Sequence, residues 1–396
     1  MNVHLQNVAT QRRSRVRAPS ITFFSCAAAC LVLAGCGSLS KTSTAAKPAK
    51  AAAAPVSTHT HQSKGVSDFV AAVPLPAGEE FLGQFFDAQS PWNTQDLYAP
   101  TDVRSDALIR DAMRQVGVID EPGDQAPKLD ATTVNAGVYI NTEAWTDPVV
   151  QGGPLTPIHC RQLICGDDDQ IAALPIPANV SPNPLYDGWF TIISPNGRTA
   201  YDLWRARRLA DRSISFQYMR IWNLDGSGYG APGQSSARGS GLPLFAGLIR
   251  PQELQNGQID HALAISVPAP ATRNYVPPAS TTDGNGATDS LPEGARIRLK
   301  ANAQLHPQTP LTPQRLRLAE ALMWTLRTYG AIVVGRAAVP TLYAQRDVTS
   351  SMLIGDELQS LRLTDFEVVQ LPSELQYPSA SQQSGTDFAP GPGYGG

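Results

Sequence analysis

The longest apolar run in this chain, Ile21 to Ala34, is shorter than the roughly 20 residues a helix needs to cross a bilayer, which argues against a spanning helix or signal anchor. Two catalytic signatures are also missing. There is no Gly-x-Ser-x-Gly elbow and no His-Glu-x-x-His helix, so serine hydrolases and zinc peptidases lose their usual marks. No basic stripe runs along the sequence, no internal repeat divides it, and charged side chains make up only 16% of its 396 residues. Cysteine is scarce, at 5.

The N-terminus reads as an address. Arg12, Arg13, Arg15 and Arg17 precede the apolar run, which ends in Leu33-Ala34-Gly35-Cys36. This resembles a bacterial lipoprotein signal, in which Cys36 is acylated and becomes the first mature residue. Gly37 stands where an aspartate would imply retention at the inner membrane, so the resemblance implies a lipid-anchored envelope protein at the outer membrane. The expected organisation is a signal peptide over 1–35, a disordered Ala, Lys, Ser, Thr and Pro-rich tether over 36–78, one globular β-rich domain over 79–378, and a disordered Ser, Gly and Pro-rich tail over 379–396.

Removing the signal leaves 27 basic against 34 acidic side chains, a net charge of −7. That balance disfavours nucleic acid and an anionic membrane surface as partners, although a local arginine cluster can override a mild global charge. Cys26 and Cys30 leave with the signal and Cys36 carries lipid. Cys160 and Cys165 then remain, and in an oxidising compartment they are expected to form a local disulfide. A metal site built on them with His159 and Asp167 to Asp169 lacks a complete ligand set, so neither metal nor cofactor is expected.

Periodicity places the elements. Leu108, Ile109, Ala112, Met113 and Val116 predict a first helix. Pro251 to Asn256, closed by Gly257, predicts a short second one. Thr312 as cap and Pro313 at the first position predict a third helix ending at Tyr329, with Leu316, Ala319, Leu322, Met323 and Leu326 as its buried stripe. Strands are expected over 137–141, 189–194, 201–205, 213–224, 259–267, 296–301, 331–334, 341–344 and 366–369. Many short strands and few helices imply an all-β-dominated fold, a β-sandwich or jelly roll with two or three added helices, with an α+β domain as alternative. In the 259–267 strand His261 would share the apolar face and Asp260 the other, which excludes an Asp-His dyad. Arg296, Arg298 and Lys300 would line a face that is wet or binds something.

Several segments resemble a family of exported bacterial proteins: Ser90-Pro91-Trp92-Asn93-Thr94, Tyr201-Asp202-Leu203-Trp204, Ser240-Gly241-Leu242-Pro243, Ala246-Gly247-Leu248-Ile249-Arg250, Gly257-Gln258-Ile259-Asp260-His261-Ala262-Leu263 and Glu293-Gly294-Ala295-Arg296-Ile297-Arg298-Leu299. The resemblance implies an exported, β-rich domain and carries over no catalytic residue. The chain departs from that pattern at Val334-Gly335-Arg336, where relatives carry Asp-Asn-Gly.

The chemistry best suited to these residues is polysaccharide handling on a concave sheet, where aromatic faces stack on sugar rings and carboxylates, amides and arginines bond hydroxyls. Asp202 with Trp204, and Arg220 with Trp222, each pair a polar group with a platform; Trp92, Asn93 and Arg250 complete the binding set. Cleavage as a glycoside hydrolase or lyase would use Asp202 with Asp225 or Asp260, and His261 for proton transfer on uronates. The alternative is a non-catalytic envelope lipoprotein that binds glycan or protein through the same surface.

Overall fold

The computed structural model describes residues 83–116, 137–143, 146–167, 171–184, 187–346 and 352–377. Cys36, the tether and the tail lie outside the described residues. Among the described residues no helix is long and apolar enough to cross a membrane.

The helices form where caps and periodicity place them. α1 (Ser105–Arg114) buries Leu108, Ile109 and Ala112. α2 (Pro251–Asn256) starts with proline and stops at Gly257, whose φ of 67° is the left-handed conformation that glycine adopts without strain. α3 (Pro313–Thr328) is capped by Thr312, which accepts from the Arg315 amide at 3.3 Å. Its buried stripe includes Leu318 rather than Leu316, which is exposed in the first turn.

The fold is strand-dominated. Its first half holds β1 (Tyr139–Asn141), β2 (Val149–Gln151), β3 (Leu155–Cys160), β4 (Ala173–Pro175), β5 (Phe190–Ile193), β6 (Thr199–Trp204), β7 (Arg207–Arg208), β8 (Ile214–Phe216) and β9 (Tyr218–Asn223). Then come β10 (Leu263–Val267), β11 (Asn274–Tyr275), β12 (Arg296–Leu299), β13 (Ala331–Arg336), β14 (Thr341–Tyr343), β15 (Phe366–Val368) and β16 (Leu375–Gln376). One large sheet has the order β1-β14-β10-β13-β12-β15; an inner small sheet runs β2-β5-β6-β9 and an outer one β4-β3-β8-β7. The pairs β1/β14, β10/β13, β2/β5 and β3/β8 are parallel. Pairing is therefore mixed, not the antiparallel pairing of a jelly roll.

The layers follow from side-chain alternation. Leu263, Ile265 and Val267 of β10 face a core shared with α1 and α3. Ala264, on the other face, joins Ile332, Val334 and Tyr343 in a second core against Trp222 and Ala200 of the inner small sheet. The far face of that sheet packs Phe190, Ile192 and Leu203 on Ile158, Ile214 and Phe216 of the outer one. A strand buried on both faces reads as a continuous apolar run, as β10 does.

Three expectations are revised. The 213–224 stretch is two strands, because the chain leaves the outer sheet after Phe216 and joins the inner one at Tyr218. The strand expected from Ile259 begins only at Leu263. Before it, the Ile259 carbonyl accepts from Thr325 of α3 and the Ala262 amide donates to the Trp92 carbonyl, so this backbone is spent on other partners. The arginine face of β12 is not wet: Arg296 pairs with Asp96 at 2.6 Å and Arg298 donates to the Leu97 and Ala99 carbonyls, so the chain's own 91–99 segment covers it. Cys160 and Cys165 form a disulfide, as expected.

Candidate functional site

Five residues singled out in the sequence, Trp92, Asn93, Arg250, Asp260 and His261, line one open cleft of about 330 Å³. The irregular backbone before β10 lets Asp260 and His261 face it together, which a regular strand would forbid. Their roles differ. Trp92 is sealed beneath the cleft and donates its Nε1–H to the Gly228 carbonyl at 3.0 Å, so it is floor and not a stacking platform. Asn93 spends its amide on the Phe85 and Asp87 carbonyls at 2.8 Å, holding that loop in place.

At the back of the cleft lies an ionic triad centred on Glu253, which sequence reasoning missed. Its signal was the position three residues into α2, where a carboxylate caps the helix start. Glu253 accepts the Arg250 amide at 2.9 Å and the Arg250 guanidinium at 2.6 Å. His261 Nε2 lies 2.8 Å from Glu253 Oε1, while Nδ1 lies 2.9 Å from the Ala262 carbonyl. Both ring nitrogens are thus engaged inside the protein, one with a carboxylate and one with a backbone carbonyl. Burial acts to raise the Glu253 carboxyl, but the His261 and Arg250 charges and hydrogen bonds outweigh it and hold the group at about 2. With both nitrogens held by Glu253 and the Ala262 carbonyl, His261 does not turn a ring nitrogen to the cleft for the proton transfer expected of it.

The cleft rim is different in kind. Gln84, Asn256 and Gln258 are exposed amides, and Gln258 donates to both oxygens of exposed Asp260, at 2.9 and 2.7 Å.

The remaining candidates are not in this cleft. Asp202, Trp204, Arg220 and Trp222 do share one face of the inner small sheet, because Asp202 pairs with Arg220 and Ala200 with Trp222 across β6 and β9. That face is turned toward the large sheet. Asp202 is fully buried and accepts from Thr191 Oγ1 at 2.7 Å, Trp222 Nε1 at 2.9 Å and the Leu244 amide at 2.7 Å. Its acidic neighbour is Asp147, reached through the same Thr191 hydroxyl, and not Asp225 or Asp260. Burial raises Asp202 to about 6 against the pull of these donors, and raises Asp147 well above the usual carboxylate range with the Asp202 charge adding to it. Asp225 sits in an exposed turn, paired with Arg198 at 2.8 Å. Arg220 pairs with Asp167 at 3.1 Å and lies 5.3 Å from the Trp222 ring centre. Trp204 donates to Asp187 at 3.3 Å. No solvated trough of indoles and acids is formed by this set.

A further acid was not anticipated. Glu293 is fully buried near Gly335 and Ser266, at the carboxyl ends of the parallel strands β10 and β13, and burial together with the Asp283 charge raises it well above its usual range. Among the described residues no group of three His, Cys, Asp or Glu is placed to hold a metal ion. Comparison of the chain with protein-family models, curated proteins and solved structures finds no match.

Proposed function

We propose that the protein is a lipid-anchored envelope protein that binds, without cleaving, a neutral hydroxyl-rich ligand, an oligosaccharide segment of a polysaccharide, in the cleft over Arg250, Glu253 and His261. The observation that carries this reading is the contrast between floor and rim. The floor charges are matched to one another inside the protein, whereas the rim presents amides of Gln84, Asn256 and Gln258 and the Asp260 carboxylate to solvent. Amides and a carboxylate offer the mixed donors and acceptors that vicinal hydroxyls require, and the guanidinium among the described lining residues, Arg250, is already paired with Glu253, which disfavours a polyanion.

Binding is favoured over hydrolysis by where the protons are. Glycosidic cleavage needs an acid that holds a proton against the leaving oxygen. In the cleft Glu253 is kept ionised, and the carboxyls whose ionisation is suppressed, Asp147, Asp202 and Glu293, are fully buried. The test uses the full chain in detergent micelles against a panel of neutral and acidic glycans. A neutral glycan should bind, Gln258→Ala and Asp260→Ala should each weaken it by about fivefold, and no new reducing ends or unsaturated uronates should appear. Release of either product, abolished by Asp260→Asn, would replace binding with catalysis; no binding to any glycan would end the proposal.

A further inference from the structure

The disulfide closes a short loop, Arg161-Gln162-Leu163-Ile164, whose base is fixed and whose tip is bare. At the base, the Arg161 amide donates to the Phe216 carbonyl at 2.9 Å, and the Cys165 carbonyl accepts the Met219 amide at 2.9 Å. At the tip, Leu163 is 99% exposed and Ile164 is 70% exposed. Single exposed aliphatic residues are ordinary, but two adjacent ones on a cross-linked loop cannot fold back onto the core.

Beside this tip the fold gathers guanidinium groups that are far apart in the chain. Arg161 donates to the Arg205 carbonyl, and β7 carries Arg207 next to β8, which pairs with β3 on its other side. The Arg161 guanidinium is destabilised as a cation by burial first and then by the neighbouring Arg207 and Arg205 charges. Among the described residues neither Arg161 nor Arg207 forms an ion pair. Asp167, just past the disulfide, is turned to Arg220 and the Ile221 amide; Asp168 and Asp169 lie outside the described residues. This is the local cluster that a net charge of −7 conceals.

We propose that the 160–165 loop is a membrane-docking tip: Leu163 and Ile164 enter the interface of an anionic lipid surface while Arg161 and Arg207, both exposed, meet its phosphates. The apolar pair decides between the two kinds of polyanion that arginines attract. Aliphatic side chains gain from leaving water only where hydrocarbon receives them, so a lipid surface fits and a soluble anionic polymer does not. The inference is independent of the glycan cleft, which is built from other segments. On the reading that Cys36 is acylated, the tip adds a second contact with a membrane.

The experiment is hydrogen–deuterium exchange of residues 161–166 in the full chain, with and without vesicles of phosphatidylcholine containing about 30% phosphatidylglycerol. The local readout is unaffected by attachment through the N-terminus. Exchange should slow on the anionic vesicles and not on phosphatidylcholine alone. The double variant Leu163→Asp, Ile164→Asp should abolish the protection with an unchanged melting temperature, because both side chains are exposed. Arg161→Ala and Arg207→Ala should each weaken it by about fivefold. The proposal is overturned if anionic vesicles leave the loop unprotected, or if protection survives the aspartates. It is equally overturned if dextran sulfate protects the loop as well as lipid does.

Discussion

Thr191 has one hydroxyl proton and two carboxylates within 2.7 Å, Asp147 and Asp202. It can donate to only one, so the other short contact requires a proton on the second acid. Asp202 already receives Trp222 and Leu244, whereas Asp147 Oδ1 has no partner; Asp202 is the carboxylate and Asp147 the neutral acid that donates to Thr191. An asparagine at 147 keeps a donor for Thr191 and cannot ionise. Because both acids are raised in the folded state, their contribution is complete below the unfolded carboxylate range and is lost as pH rises through the folded values, about 6 for Asp202. Asp147→Asn should therefore flatten the fall in stability above pH 6, read from urea midpoints across pH. A steeper fall would place the proton elsewhere. Glu253 has the opposite sign. Glu253→Gln leaves Arg250 and His261 facing a neutral group and should cost about 3 kcal/mol at neutral pH by denaturant titration.

At the scale of elements, two short segments hold the cleft and the tip in place. α2 has only six residues, too few to be stable alone, and depends on its ends: Pro251 at the start, Glu253 capping Arg250, and Gly257 at the stop. A Cβ at Gly257 would meet nothing within 4 Å, so Gly257→Ala tests conformation alone. It should lower stability by about 1 kcal/mol and loosen the cleft wall, seen as faster amide exchange over 251–258. The disulfide joins residues five apart, and removing it as Cys160→Ala, Cys165→Ala should cost about 2 kcal/mol in the urea midpoint. A much smaller cost would mean that the pairing of β3 with β8 holds the loop unaided. The helix ends were legible because a cap, a proline and a glycine act within one turn of themselves. The start of β10 was not, since Ile259 to Ala262 alternate as a strand does and only contacts with α3 and Trp92 draw them out of the sheet.

For the whole molecule, two groups of buried charge set opposing limits. Glu253, held at about 2, contributes stability above its unfolded range that is lost as pH falls through 2, while Asp147, Asp202 and Glu293 contribute stability lost as pH rises through their raised values. Thermal stability should therefore peak at about pH 4.5, just above the unfolded carboxylate range, and fall from there toward neutrality. A maximum above pH 7 would show that the interior acids ionise at little cost.

What the sequence alone determined was local: strand dominance, the three helices and their stops, and a disulfide between Cys160 and Cys165. Each depends on residues within a few positions of one another. Tertiary structure decided the rest. Strand order put Asp202 beside Asp147 and not Asp225, because β2, β5 and β6 are neighbours and the face carrying Asp202 is turned inward. Layer packing sealed Trp92 and Trp222, covered the arginines of β12 with the chain's own loop, and left Arg207 of β7 exposed near the disulfide tip. Which side chains meet, and whether water reaches them, is set by the stacking of sheets, a property no window of sequence contains.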